Sequence, residues 1–311
     1  MNQITVKSPG TVANVACGFD ILGFALNNPG DTVTVRLNDT GNVTIGDMQS
    51  RQELPRDPEL NVATVAASAM KKHLNLEKGI EIDIEKGIKP GSGIGSSAAS
   101  SAGAVVALNH LLDQPCEPSE LVKFAMEGEK VASGTAHADN VAPAIMGGFV
   151  LVRDYDPLDI IPLQTELDLQ VVVLHPDIEI KTEDARKLLR QQISLKKAVK
   201  QWGNVAGFVA GLLQNDATLI SRSMVDVIIE PIRSILIPNY EEIRKAADQA
   251  GALGCSISGS GPSVFALCDS RQAARQTADM IDEVYSKLDL DYDIHHSSLN
   301  LIGTKVLEPK S

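Results

Sequence analysis

Pro90-Gly91-Ser92-Gly93-Ile94-Gly95-Ser96-Ser97-Ala98-Ala99-Ser100-Ser101 sets three alternating glycines and paired hydroxyls between a strand pattern and a helix pattern. Upstream, Ile80, Ile82 and Ile84 alternate with Glu81, Asp83 and Glu85, the period of a half-buried strand. Downstream, Ala98 to Leu112 is rich in alanine and leucine and nearly free of charge, which predicts a buried helix. Glycine lets backbone N–H groups turn toward a ligand, and a helix start carries about half a positive charge, so the stretch reads as a polyphosphate cradle. Its serines add hydroxyl donors or an oxygen ligand for Mg²⁺.

The better-known phosphate motifs do not fit. A P-loop ends in Gly-Lys-Ser/Thr, whereas Ser96 follows Gly95 here, and the dinucleotide fingerprint lacks its third glycine. The competing reading is a tight strand-to-helix turn whose small residues serve close packing. The density of serine and glycine exceeds what such a turn requires.

Length and charge narrow the classes of function. A chain of 311 residues suffices for one large or two ordinary domains. A formal net charge of −12 argues against nucleic acid or an anionic membrane as the main partner, since both call for a basic footprint. Met1 to Val15 has no long apolar core behind a basic region, and no window approaches about 18 uncharged apolar residues, which predicts a cytoplasmic protein without signal peptide or membrane span. Cys17, Cys116, Cys255 and Cys268 show no C-x-x-C spacing and read as reduced thiols, with Cys17 a small buried residue.

Along the chain, strands are expected at Gln3 to Val6, Val33 to Leu37 and Val43 to Ile45, with a turn at Asn27-Asn28-Pro29-Gly30. Helices are expected from Asn61 to Leu74, with Asn61 as its cap, and from Pro118 to Ser133. His137-Ala138-Asp139-Asn140 reads as a loop, and Met146 to Val152 as a strand. The proline-containing Asp154 to Pro157 suggests a domain boundary. Beyond it come a strand at Leu169 to His175 and helices at Thr182 to Gln191 and Val199 to Asn215. Helix Tyr240 to Ala250, strand, Gly-Ser loop, strand Val264 to Cys268, helix Arg271 to Leu288 and a last strand complete an α+β order.

Three segments carry a resemblance to one superfamily. Pro90 to Ala99 is similar to the phosphate-binding motif P-x-G-x-G-L-G-S-S-A-A of the GHMP kinases, with Ile94 in place of leucine. Pro9-Gly10-Thr11-Val12-Ala13-Asn14-Val15-Ala16-Cys17-Gly18-Phe19-Asp20-Ile21-Leu22-Gly23 resembles P-A-T-S-A-N-L-G-P-G-F-D-x-L-G of the homoserine kinase branch, with Ala16-Cys17 replacing Gly-Pro. Gly254 to Ser263 resembles the third motif of the superfamily.

The resemblance implies a two-domain α+β fold. Residues 1–160 would form an N-terminal ATP-binding α/β domain with a left-handed βαβ crossover, and residues 161–311 a ferredoxin-like C-terminal domain. It implies an ATP-dependent, Mg²⁺-requiring kinase that phosphorylates the side-chain hydroxyl of L-homoserine in threonine biosynthesis, and a homodimer.

Site residues follow from matching positions. Asn61, Pro90, Gly91, Ser92, Gly93, Ile94, Gly95, Ser96 and Ser97 would bind ATP, and Gly259, Ser260 and Gly261 would support the loops. Ser97 with Glu129 would hold the metal, Glu127 being the alternative if the register slips. An amino-acid substrate needs arginine for its carboxylate and acidic or amide groups for its ammonium. The resemblance assigns the carboxylate to Arg186 and Arg233, sets Asn14 and Asp20 at the polar end of the substrate from the other domain, and counts Asp139 and Asn140 among the substrate-binding residues. Asp139 would accept a hydrogen bond from the attacking hydroxyl, Asn140 would orient the substrate, and His137 either supports them or caps the loop. Asparagine stands where the mevalonate kinase branch has an aspartate regarded as the base, so transfer without a strong general base is expected; a loose transition state tolerates this.

Overall fold

The computed structural model describes residues 2–180 and 182–308. Strands β1 (Gln3–Ala13), β2 (Leu22–Asn38) and β3 (Val43–Gln49) open the chain. Helix α1 (Val62–His73) follows, capped by the Asn61 side chain on the Ala63 N–H, and leads into β4 (Gly79–Glu85). After the glycine loop come α2 (Ser96–Leu111), α3 (Pro118–Ser133) and α4 (Ala138–Met146). The hairpin β5 (Phe149–Tyr155) and β6 (Leu158–Leu163) turns at the proposed boundary, Asp154 to Pro157, and both its strands belong to the first sheet.

That sheet has the order β1-β2-β4-β3, with β5 pairing the first end of β2. β3 and β4 are parallel and joined through α1, whereas the other pairs named so far are antiparallel. Val6, Val33, Val35, Ile80 and Ile82 put one face of the sheet under α2, whose Ala102, Val105 and Leu108 are fully buried. Apolar residues all round α2 are explained by α1, α3 and α4 packing on the sides that the sheet leaves open.

The second half holds β7 (Gln170–Pro176), α5 (Thr182–Lys187), α6 (Leu195–Gln214), α7 (Ala217–Ser223) and α8 (Glu230–Arg233), then a 3₁₀ turn at Ser234–Leu236. It continues with α9 (Tyr240–Gln249), β8 (Gly254–Ile257), β9 (Val264–Cys268), α10 (Arg271–Tyr285) and β10 (Tyr292–Ser298). The antiparallel order β10-β7-β9-β8 is the ferredoxin-like arrangement of fourth, first, third and second strands. The final strand, β11 (Lys305–Val306), returns to pair with β1, so residues beyond 160 also contribute to the first sheet.

Phe24 and Phe149 of the first sheet meet edge-to-face with Phe265 of β9 and Phe208 of α6, at centroid distances of 5.7 and 5.8 Å. These rings lie in one apolar cluster with Val12, Val171 and Val173. The two halves therefore share a core, which fixes the cleft between them. All four cysteines are buried free thiols, and no helix among the described residues is long and apolar enough to cross a membrane.

Two local expectations are corrected. Asn27 to Gly30 is no turn: β2 runs straight through it, because Gly30 and Asp31 pair with Pro9 and Ser8 while Asn27 and Asn28 bond the hydroxyls of Ser298 and Ser297. The register with β1 shifts between Pro9 and Thr11, and that irregularity absorbs the missing N–H of Pro29. His137 to Asn140 is not a loop either. His137 is the cap of α4 and Ala138 its first residue, with Pro143 inside the helix. Proline deprives the Asp139 carbonyl of its helical partner, and that carbonyl instead lies against Gly23, where an added Cβ would come within 1.8 Å of it. Gly147 and Gly148 then end the helix at positive φ, so the strand starts at Phe149 rather than Met146.

Candidate active site

The glycine loop has the conformation its composition calls for. Gly91, Gly93 and Gly95 adopt φ values of 73°, 79° and 69°, a region that side chains disfavour. Gly95 caps α2, and helix geometry leaves the N–H groups of Ser96, Ser97 and Ala98 without carbonyl partners in the helix. An added Cβ at Gly93 would lie 2.6 Å from the Gly261 carbonyl oxygen, so the third motif packs directly against the loop. Ser258 Oγ donates to the Gly93 carbonyl (2.8 Å) and Ser263 Oγ to that of Ser92 (2.6 Å). The Gly259 N–H donates to Ala13 (3.0 Å), and Asn14 Nδ2 donates to the Gly259 carbonyl (2.8 Å). All three motifs thus form one hydrogen-bonded unit.

Beneath the loop lies a buried ion pair that the sequence reading did not single out. Lys86 Nζ donates to Asp31 and also to the Ser96 carbonyl (2.7 Å) and Ser100 Oγ (3.0 Å), with both charged side chains at most 3% exposed. Asp31 additionally accepts from the N–H groups of Gly87 and Ile88. The pair clamps the start of α2 to the end of β4. Its signal in the sequence was faint: a lysine ending an acidic strand just before the glycines.

A cleft of about 370 Å³ opens above the loop. Asn14, Asp20, Asn61, Glu129, His137, Asp139, Asn140, Arg186, Arg233, Gly259 and Ser260 line it together with Pro90 to Gly93 and Gly95 to Ser97. Ile94 and Gly261 stand behind this lining: the Ile94 side chain is buried, and its carbonyl accepts from the Thr11 N–H. Asn61 Nδ2 donates to the Pro55 carbonyl (2.8 Å) and to Met48 Sδ (3.9 Å) while its Oδ1 accepts from Ala63, which leaves the side chain one oxygen lone pair.

Glu129 and Ser97 meet by hydrogen bond at one end of the cleft. Burial pushes the Glu129 carboxyl up to about 7, against the pull of Ser97 and Lys86. Glu127 faces outward, half-exposed and paired with Lys130, so geometry prefers Glu129. A hydroxyl beside a buried carboxylate is the hard-oxygen pair that Mg²⁺ takes when phosphate and water supply its other ligands. Among the described residues no group of three or more His, Cys, Asp or Glu side chains could hold a metal by itself.

The other end of the cleft brings Asp20 together with Arg186 and Arg233. Asp20 sits on the first-motif loop at positive φ, its N–H donating to Asn14 Oδ1 (2.7 Å) and its carbonyl accepting from the Tyr155 hydroxyl (2.9 Å). Arg186 Nη2 donates to both Asp20 carboxylate oxygens (2.8 and 3.0 Å) and lies 3.4 Å from His137 Nε2. Buried Arg233 donates to the Gly259 carbonyl (3.2 Å), while its Nε and that of Arg186 are buried with no hydrogen-bond partner. Burial and the neighbouring Arg186 charge push the Arg233 guanidinium down to about 10. Two crowded cations with unmet donors can take an anion, and a carboxylate such as Asp20 can take a cation.

Asp139 stands between the two ends, 2% exposed, with Oδ1 unpartnered. Burial, and then the Asp20 charge, push its carboxyl up to about 7. Asn140 Oδ1 accepts from Thr11 Oγ1 (2.8 Å), which fixes the amide's orientation. His137 makes no capping bond with its side chain; burial lowers its pKa while Asp20, 3.7 Å away, raises it. Thr11, Phe19 and Tyr155 are contributors the sequence reading gave no role, although the first two lay inside the quoted first motif.

Comparison with known proteins places the chain in a family. Residues 61–148 match the GHMP kinases N terminal domain and residues 208–287 the GHMP kinases C terminal domain. A homoserine kinase of Chloroherpeton thalassium is 46% identical, covering 99% of this chain and all of its own. The crystal structure of homoserine kinase from Cytophaga hutchinsonii superposes with a TM-score of 0.95 at 50% identity, over 99% of this chain and 98% of that one. Mevalonate kinase of L. major shares the fold at 18% identity, with a TM-score of 0.71 over 94% of both chains. With relatives this similar along its whole length, the chain belongs to the homoserine kinases of the GHMP kinase superfamily.

Proposed function

We propose that this enzyme transfers the γ-phosphoryl group of Mg·ATP to the side-chain hydroxyl of L-homoserine, giving O-phospho-L-homoserine and ADP. The observation that carries the reading is the pair of buried, unmet guanidinium donors on Arg186 and Arg233, facing Asp20 in the cleft that also holds the phosphate loop. The substrate carboxylate would lie on the two arginines and its ammonium between Asp20 and Asn14. In this pose the substrate exchanges partners with the Asp20–Arg186 pair rather than burying an uncompensated charge.

The polyphosphate would rest on the glycine loop and the free N–H groups of α2. Ser97 and Glu129 would hold Mg²⁺, which would neutralise phosphate charge as it develops. Asp139 would accept the hydrogen bond of the attacking hydroxyl, and a carboxyl pushed up to about 7 can take the proton as the new P–O bond forms. No early deprotonation is required, because a loose transition state makes little bond to the nucleophile. Asn140 and His137 would orient the acceptor. A cytoplasmic homodimer goes with this reading, supported by the family resemblance.

Phosphorus NMR of the product tests the acceptor atom. Transfer to the side-chain hydroxyl predicts a phosphate signal split by the adjacent methylene protons. An acyl phosphate signal without that coupling would overturn the assignment.

A further inference from the structure

Phe19 is a half-buried aromatic at the tip of the first-motif loop, and both substrate-end arginines lie over its ring. The Arg186 guanidinium carbon is 5.3 Å from the ring centroid and that of Arg233 is 5.0 Å. We infer that Phe19 is the positioning residue that holds two mutually repelling guanidinium groups together as a single carboxylate receptor, and so sets selectivity for acceptors bearing a carboxylate.

Three observations support this. The arginines come from separate helices, α5 and α8, and no side-chain hydrogen bond joins one to the other among the described residues. Their Nε atoms are buried without an oxygen partner, a cost that the negative face of an aromatic ring partly offsets. The loop carrying Phe19 is rigid: Gly18 bonds Val15, Leu22 bonds Gly18, Asp20 bonds Asn14, and the Cys17 carbonyl accepts from Gln201. A ring fixed in this way can fix its cations. Asp20 alone cannot do the same, since it reaches Arg186 but makes no hydrogen bond to Arg233.

The inference rests on the homoserine reading of the site, and its test separates the two. Replacing Phe19 by mono-, di- and trifluorinated phenylalanine keeps the ring's shape while draining its negative face. The homoserine KM should climb stepwise with fluorination, reaching roughly tenfold for loss of ring–cation attraction. The KM for ATP should stay fixed, and so should kcat/KM for the amino alcohol that is homoserine without its carboxylate. Phe19→Leu should behave like the most fluorinated ring, with Phe19→Tyr restoring the low KM. A homoserine KM that is flat across the fluorinated series, or a change shared equally by the carboxylate-free acceptor, would overturn the role of Phe19. An unmodified enzyme inactive toward homoserine would instead overturn the functional reading beneath it.

Discussion

Asp139→Asn should make the unliganded protein more stable while removing most of its activity, and the gain should depend on pH. Asp139 is buried, has an oxygen without a partner and stands near Asp20, so its charged form is disfavoured in the folded state. Its pKa rises from 3.8 in the reference state to about 7. Between these values the folded protein holds a proton that the unfolded chain has released, so stability falls as pH rises, and it levels off above about 7. At about 1.36 kcal/mol per pKa unit, the full cost is about 4 kcal/mol at pH 8, against less than about 2 kcal/mol at pH 5. Asparagine carries no charge and escapes both. At about 2 °C per kcal/mol for a chain of this size, Tm should rise by roughly 8 °C at pH 8 and roughly 3 °C at pH 5. Differential scanning calorimetry of both proteins without ligands, at the two pH values, measures this. An equal gain at both pH values, or a less stable variant at pH 8, would refute the reasoning that this carboxylate is retained at the expense of stability.

Glu129→Ala should lower turnover roughly 10³-fold while homoserine still binds, since the carboxylate serves phosphate charge rather than the acceptor. Kinetics paired with calorimetric titration of homoserine check this, and undiminished turnover would remove Glu129 from the metal site. Arg233→Leu should raise the homoserine KM roughly 10²-fold, the scale of leaving a buried carboxylate without its partner, with the ATP KM unchanged. Steady-state kinetics with each substrate varied in turn decide it, and an unchanged homoserine KM would place the carboxylate elsewhere.

The sequence was most legible where local chemistry determines structure. Asn61 caps α1, Pro118 and Ser133 bound α3, and Val264 and Cys268 bound β9, because in each case cap, proline or apolar run acts over a few residues. The glycine loop was legible for the same reason. Asn27 to Gly30 misled because its turn-like composition is overridden by pairing with β1 and by the hydroxyls of Ser297 and Ser298, almost the full length of the chain away. Helix α4 was hidden by Pro143, tolerated because Gly23 of β2 lies against the carbonyl that the proline leaves free.

The site shows the same division. The glycine loop could be read from its own chemistry, whereas Asn14, Asp20, Arg186 and Arg233 were named only through resemblance, since an isolated arginine on a short helix carries no signal of its own. Lys86 with Asp31, Thr11 with Asn140, and Phe19 beneath two arginines are pairings across the fold. Their partners are as much as 214 positions apart, for Phe19 and Arg233, beyond the reach of any local pattern.

The most direct measurement of the central claim is ADP release from Mg·ATP with L-homoserine, L-serine, L-threonine, mevalonate and galactose compared at one enzyme concentration. The account predicts strong preference for L-homoserine, whose hydroxyl must reach Asp139 while its carboxylate stays on Arg186 and Arg233. Preference for mevalonate or galactose would contradict it, leaving the kinase fold but not the acceptor, and no release with any of the five would contradict catalysis itself.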